Sequence, residues 1–275
     1  MSDRLPISDP AFWRERIHDA GDQPHRILFN IDIETWLLLR ETHREILSRM
    51  FHPYQTTRVL DAGCGYGDLL EALPSSIDYT GIDISPDLIE MARQRYPERT
   101  FHEGNLLHLP FPAQHFQLAI CRSIDGMVKD NQGIMVWRAM ERELLRVSER
   151  LLLLNYTEPS LYRIHDNHLD AKEFICNQIH YDGGRLTYRA GQDGTIELYD
   201  LFVDETQRRK GVASRLVEEV CQEAFGTVYG FIQIDNPPIH AVYRKLGFTL
   251  TPVPGFYRGV DAIMVSKLCT PSRSK

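Results

Sequence analysis

Three glycines at alternate positions, Gly63, Gly65 and Gly67, follow directly on the run Val59-Leu60-Asp61-Ala62 in V-L-D-A-G-C-G-Y-G-D. An apolar run that breaks into glycines reads as a β-strand entering a tight turn. Glycine lets the backbone turn sharply and approach a ligand where a Cβ would clash. A second strand-like run ends on Asp83, 18 residues after Gly65, in G-I-D-I-S-P. An acid at that strand end can accept hydrogen bonds from both hydroxyls of a ribose. The glycine triplet alone is weak. Joined to Asp83 at this distance, it sets the first half of the chain as strand, turn, helix, strand around a nucleoside-bearing ligand. The spacing is G-x-G-x-G, not the dinucleotide spacing G-x-G-x-x-G.

The rest of this half repeats the alternation. Residues 11–56 read as helical, with Trp36, Leu37, Leu39, Ile46 and Leu47 partly at helical spacing. Strands are expected at 58–62, 78–83, 100–102, 116–121 and 150–156, and helices at 68–73, 86–95 and 133–147. Ser85 is placed as the N-cap of the 86–95 helix, with Pro86 at its first position. Such alternation implies an open, mostly parallel α/β sheet of Rossmann-like type. After Tyr156 the grammar changes. Short strand-like runs at 174–180, 185–190 and 195–204, separated by Asp182-Gly183-Gly184 and Asp193-Gly194, predict an antiparallel meander. A helix (211–225), a strand (228–235), a helix (237–246) and two strands (248–253, 261–268) follow. This is an α+β unit with a mixed, mostly antiparallel sheet. The boundary is expected within 156–172, giving domains 1–160 and 161–275.

The first signature resembles the class I S-adenosylmethionine-dependent methyltransferases. D-A-G-C-G-Y-G matches their first motif, G-I-D-I-S the second, and residues 104–120 the third motif and fourth strand. The resemblance implies that Gly63, Gly65 and Gly67 line the methionine and ribose, with Asp61 nearby through water. It implies that Asp83 holds the ribose, Ile84 packs on adenine, Asn105 meets the adenine amino group and Leu106 offers its backbone N–H to the ring. Most relatives carry Asp where Asn105 stands. The fourth strand ends in C-R-S-I-D, without the D/N-P-P-Y/F motif of amino-methylating nucleic-acid enzymes. The antiparallel strand pair that usually closes this fold is not evident either. Arg122 and Asp125, with Trp13, Trp36 and Tyr54 of the N-terminal segment, are candidates for holding a methyl acceptor.

The second signature lies about 140 residues on. Gly211 opens an amphipathic helix after Arg208-Arg209-Lys210, and backbone N–H groups at a helix N-terminus make an anion site. Asn236, Tyr243, Lys245, Gly247 and Phe248 stand at offsets 0, 7, 9, 11 and 12. Together these resemble the GNAT superfamily of acyl-CoA-dependent N-acyltransferases over 172–268. The resemblance takes Arg208, Arg209, Lys210, Gly211, Val212 and Ala213 to the pyrophosphate. It pairs Leu201 and Val203 by backbone with the pantetheine, sets Asn236 against that arm, and makes Tyr243 the acid that protonates the departing thiolate. Glu197 and Asp200 are both placed to serve as general base through water. The family's first strand and helices are short or missing before the meander.

Net charge is −7, with −6 in residues 1–155 and −1 in the remainder. With no long basic stretch, this points to a small-molecule substrate rather than nucleic acid. The five cysteines form no C-x-x-C pair, so neither a disulfide framework nor a metal site is expected, and a reducing, cytoplasmic setting is. No leader and no membrane span are expected. The chain reads as a bifunctional transferase using S-adenosylmethionine and acetyl-CoA. Two alternatives stay open: one catalytic domain beside a scaffold or cofactor-sensing module, or modification of a nucleic acid or protein. The acceptors and the oligomeric state are not set by the sequence.

Overall fold

In the computed structural model, residues 8–21, 23, 25–28, 31–48, 50, 51, 57–155, 161–166, 174–191, 193–257 and 260–270 are described. The chain divides into two compact units, Met1–Pro159 and Ser160–Lys275.

The first unit is built on β1 (Arg58–Ala62), whose last four residues are buried, as befits a strand covered on both faces. Parallel to it run β2 (Asp78–Asp83) on one side and β4 (Leu118–Arg122) on the other, with Asp61 aligned to Gly81 and to Ile120. β3 (Thr100–Glu103) extends the sheet beyond β2, and β5 (Arg150–Leu154) beyond β4. The order β3-β2-β1-β4-β5 reverses direction between β1 and β4. In open α/β sheets that reversal opens a crevice at the strands' carboxyl ends, where ligands sit. The glycine turn leaves β1 at this point.

The helices are α1 (Pro10–Ala20), α2 (His25–Leu28), α3 (Ile33–Ser48), α4 (Pro86–Arg95), α5 (Ile124–Gln132) and α6 (Ile134–Val147). Ser85 caps α4, its Oγ accepting from Leu88 N at 3.3 Å. Several expectations need correction. The helical stretch 11–56 is broken, because Gly21 (φ +52°) ends α1. The helix expected at 68–73 is a 3-10 turn, Asp68–Ala72. β4 starts at Leu118, not at 116, and Phe116 makes only an isolated bridge to Ser148. The helix expected at 133–147 is preceded by α5, which Gly133 at φ +91° separates from α6. Asp125-Gly126 hides α5 by looking like a turn signal. The strands described in this unit are all parallel and end with β5.

The second unit begins with a strand inside the segment where the boundary is expected, β6 (Tyr162–Asp166). It pairs antiparallel with β7 (Phe174–Tyr181), then come β8 (Gly184–Gly191) and β9 (Ile196–Val203). So the first strand expected to be short or missing is present at five residues. β10 (Thr227–Gln233) lies parallel to β9, and β12 (Val260–Leu268) and β11 (Thr249–Tyr257) complete the sheet antiparallel. α7 (Val212–Glu223) and α8 (Pro237–Lys245) contribute Leu216, Val217 and Tyr243 to a core with Ile179, Leu186, Leu198, Val228 and Val265.

Leu216 is fully buried in that core. Leu216→Ala is expected to destabilise the second unit by about 3 kcal/mol through lost transfer energy and the cavity left behind. Urea unfolding followed by fluorescence checks this, and a cost under about 1 kcal/mol would contradict the core assignment.

Candidate functional site

The glycine turn is bound to the end of β2 by backbone. Gly63 N and Cys64 N both donate to Ile82 O, at 2.8 and 3.0 Å. Gly63 sits at φ +74°, a conformation that favours glycine, and a Cβ there would lie 1.7 Å from Ile124 Cδ1, so the turn and the start of α5 are in close contact. Asp83 closes the arrangement. Its Oδ2 accepts from Gly65 N and its Oδ1 from Ser85 N, each at 2.9 Å. Burial pushes the Asp83 carboxyl up, and the N–H groups of Ser85 and Gly65 oppose that. A carboxylate has about four lone-pair sites, so each oxygen keeps capacity for a further donor such as a ribose hydroxyl. Ile84 beside it is half-buried.

Asp61 lies beneath the turn, buried, accepting from Tyr79 Oη at 2.8 Å. Burial pushes its carboxyl up to about 7, against the pull of Arg122. Asn105 Oδ1 accepts from Leu107 N at 2.9 Å, which sets the turn after β3, and Leu106 is buried next to it.

Arg122, at the end of β4, is not on the surface. Its Nη1 and Nη2 grip both oxygens of Asp68, with Nη1–Oδ2 at 3.0 Å. Burial pulls the guanidinium down, and the charge and hydrogen bonds of Asp68 more than reverse this. Asp125, on α5, pairs with Lys129 Nζ at 3.3 Å. Sequence reasoning missed what surrounds the Arg122–Asp68 pair. His43 of α3 is fully buried, and its Nε2 meets Asn155 O at 3.2 Å. A carbonyl only accepts, so Nε2 carries the proton. Burial, then the charge of Arg122, push His43 down to about 4. Glu71 receives both Arg40 and Arg95, and the Arg40 guanidinium lies 4.3 Å from the Trp36 ring centre. Trp36, Arg40, His43 and Leu47 follow the i, i+4, i+7, i+11 spacing of one helix face; that spacing was the available signal. Trp13 is half-buried and packs near Tyr66 and Leu88, whereas Tyr54 lies outside the described residues.

In the second unit the parallel pairing of β9 with β10 covers only Ile196↔Val228 to Leu198↔Gly230. β9 then runs on to Val203 and β10 to Gln233. On β9's other edge the ladder with β8 continues through Leu201↔Leu186 and Val203↔Gly184, after an irregularity at Thr187/Tyr188. The two strands therefore part beyond Leu198, leaving the Leu201–Val203 end of β9 unpaired with β10, where Val203 O accepts from Arg208 Nε at 3.3 Å. An open edge of this kind accepts an extended chain through main-chain hydrogen bonds. Immediately after it come Arg208, Arg209 and Lys210, all exposed, with Arg209 at φ +65° and Gly211 at φ +87° leading into α7. Val212 and Ala213 form the first turn of α7, whose leading N–H groups lack intrahelical partners.

Tyr243 is buried at 2% exposure, its ring edge-on to Phe248. Burial, then Cys221, push its phenol up. Asn236 is exposed and caps α8, its Oδ1 accepting from Ile239 N at 3.4 Å. The two candidate bases differ. Asp200 is tied to Arg185 at 2.7 Å, whereas Glu197 is half-buried with no hydrogen bond or ion pair among the described residues. Among the described residues no cluster of metal-ligating side chains occurs, and no helix is long and apolar enough to cross a membrane.

Comparison with known proteins assigns the two halves separately. Residues 59–146 match the family model for the methyltransferase domain, and residues 142–248 match that of the acetyltransferase (GNAT) family. A demethylmenaquinone methyltransferase of Deinococcus radiodurans is 28% identical over 146 residues, 48% of this chain and 58% of that protein. The enzyme of the same name from Chlorobaculum parvum is 36% identical over 63 residues, 22% of this chain and 26% of that protein. The matches thus span less than two thirds of these relatives' length. Among solved structures, the ribosomal-protein-S18-alanine N-acetyltransferase of Escherichia coli is 21% identical with a TM-score of 0.31, over 38% of this chain and 74% of that one.

His43 generates a pH prediction. With a folded pKa near 4 against 6.5 unfolded, the folded state binds fewer protons between those values, so stability rises with pH across the window. Acidification from pH 7 to pH 4 is expected to remove about 3 kcal/mol contributed by neutral His43. His43→Gln keeps a donor for Asn155 O and does not titrate. Its stability relative to wild type should therefore improve by that amount over the same range, measured by urea unfolding at both pH values. An unchanged difference would contradict the neutral buried imidazole.

Proposed function

We propose that this chain, a methyltransferase domain followed by a GNAT-family acetyltransferase domain, is a bifunctional enzyme. It would transfer a methyl group from S-adenosylmethionine and an acetyl group from acetyl-CoA, the latter to an amine, on a small-molecule substrate. The observation that carries this reading is the parting of β9 from β10 beyond Leu198, directly ahead of the Arg208–Ala213 anion turn. An open strand edge followed by a cationic helix start fits a ligand with an extended amide-bearing arm and a pyrophosphate. In the first unit, the spare acceptor capacity of Asp83 beside the glycine turn fits a nucleoside ligand.

When bound, the two cofactors supply a sulfonium methyl and a thioester, both already activated. What remains for the protein is binding, orientation and proton handling. Asp83 would hold the ribose, with Ile84 and Leu106 beside the adenine. Leu201 and Val203 would bond the pantetheine arm, and Arg208, Arg209, Lys210 and the N–H groups of Gly211, Val212 and Ala213 the pyrophosphate. Glu197 is the better base, since its carboxylate has no ion-pair partner among the described residues while Asp200 is held by Arg185. Burial keeps Tyr243 protonated at neutral pH and able to donate from its Oη. A small-molecule acceptor accords with the net charge of −7 and with relatives named for demethylmenaquinone. The free thiols at Cys64, Cys121, Cys221 and Cys269 accord with a cytoplasmic setting.

Isothermal titration tests both halves. Wild-type protein is expected to bind each cofactor, Asp83→Ala to lose S-adenosylmethionine binding at least about tenfold with acetyl-CoA binding unchanged, and Tyr243→Phe to retain acetyl-CoA while acetyl transfer slows about tenfold or more. Absence of binding to either cofactor would remove that activity from the reading. The acceptor itself is sought by metabolite profiling with and without the gene, as shifts of about 14 and about 42 mass units on one compound.

A further inference from the structure

The sheet of the second unit has two unlike faces. Leu198 pairs across with Tyr188, and both are buried in the core with Val228 and Tyr243. Successive side chains of a strand point to opposite sides, so Glu197 and its cross-strand partners Arg189 and Tyr229 stand on the other face. Phe231, two residues on from Tyr229, shares that side. Its ring lies edge-on to Tyr229, with centres 6.4 Å apart, and is stacked on exposed Phe256 at 3.9 Å. Tyr199, which the register of β8 against β9 skips, is also exposed, and the Arg189 guanidinium lies 4.5 Å from its ring centre. Burial, then Glu197 and Tyr199, push the Tyr229 phenol up, so the carboxylate and both rings are neighbours. These rings are no part of the core, and they adjoin a carboxylate that has no ion-pair partner among the described residues. An apolar patch with a polar group at its rim marks a binding surface.

Position indicates what that surface takes. Glu197 and Leu198 are the last rungs before β9 and β10 part. Tyr243 belongs to the core face, so the acid and the base of acetyl transfer stand on opposite faces of the sheet. A thioester lodged in the gap would meet its amine from the Glu197 side. Resting on the acetyl-transfer reading above, we infer that the acyl acceptor is a monoamine with a flat aromatic body, its nitrogen at Glu197 and its ring on Tyr229, Phe231 and Phe256. Aromatic rings gain from offset and edge-on contacts beyond the area they bury, and an unpaired carboxylate complements a single ammonium. Arg189, laid on Tyr199 across the ladder from Glu197, repels a second positive charge and so disfavours polyamines. Once the ammonium has lost a proton to water, its nitrogen bonds to the thioester carbon as the carbon–sulfur bond breaks. An amine proton passes to Glu197, the sulfur takes the Tyr243 proton, and exchange with solvent restores both side chains.

Acetyl transfer by the full chain, followed as thiol release from acetyl-CoA, tests this. The acceptors are 2-phenylethylamine, n-butylamine, spermidine and a peptide with an N-terminal alanine. Wild type is expected to favour 2-phenylethylamine at least about tenfold in kcat/KM over each of the others. Phe256→Ala and Phe231→Leu are expected to raise its KM about tenfold, with kcat/KM for n-butylamine and affinity for acetyl-CoA within about twofold of wild type. Phe256 is exposed, so its truncation removes no core packing. An equal loss for both amines overturns the ring contact, as does no loss in either variant. Preference for n-butylamine, spermidine or the peptide overturns the aromatic acceptor, and so does transfer to none of the four by protein that binds acetyl-CoA. Wild-type protein that binds no acetyl-CoA overturns the acetyl-transfer reading along with it.

Discussion

The buried ion pair of Arg122 with Asp68 is what the first unit is arranged around. Side-chain exposures are 7% and 0%, and both carboxylate oxygens are engaged. Taking two charges out of water is expensive, and only close, doubly bonded geometry repays it. Removing one partner would leave an uncompensated charge at a cost of about 3–5 kcal/mol, a large share of the stability a domain of this size possesses. The pair ties the end of β4 to the 3-10 turn that follows the glycines. Together with Asp83, which ties the preceding glycine turn at Gly65 to the end of β2 and to Ser85 at the start of α4, it fixes the crevice from both sides. It also bears on His43, whose ring is kept neutral first by burial and then by the charge of Arg122.

The two units present open hydrogen-bonding groups by different physics. In the first, a buried carboxylate at a glycine turn does it. Asp83 satisfies two backbone donors and still has lone pairs to offer. In the second, the backbone itself does it: a sheet that pairs for three residues and then divides, with a cationic turn and a helix start at its mouth. Side chains there are supporting elements, and even Asn236 serves first as the cap of α8.

How much of this could be read from the sequence follows from the range of each interaction. The glycine turn, Asp83 and the N-cap at Ser85 are local or at a fixed strand-to-strand distance, and they stand where the sequence places them. So do the meander and the Gly211 start of α7. α5 escapes because Asp125-Gly126 carries a turn signal that tertiary packing overrides. β6 escapes because an isolated five-residue strand gains its meaning only from pairing with β7. The role of His43 is invisible for a deeper reason. Its tautomer is set by a carbonyl 112 residues away, and its charge first by burial and then by an arginine at the end of β4. Arg122 reads as a candidate for holding an acceptor rather than as half of a buried ion pair for the same reason, since its partner Asp68 is 54 positions distant.

The divided sheet of the second unit has a consequence for the life of the protein between reactions. Unpaired edges of strands are templates for pairing with other chains, and proteins usually blunt them with charges, prolines or a covering segment. Here the gap between β9 and β10 lies inside a sheet, walled by β8 on one side and β12 on the other, and ends at three consecutive cations. A neighbouring protein's edge strand would have to enter between two strands already bound on their outer sides, past mutually repelling charges. A thin anionic arm has no such difficulty. The same geometry that parts the two strands thus screens their backbone groups from self-association, so the gap does not carry the usual liability of an open β-edge.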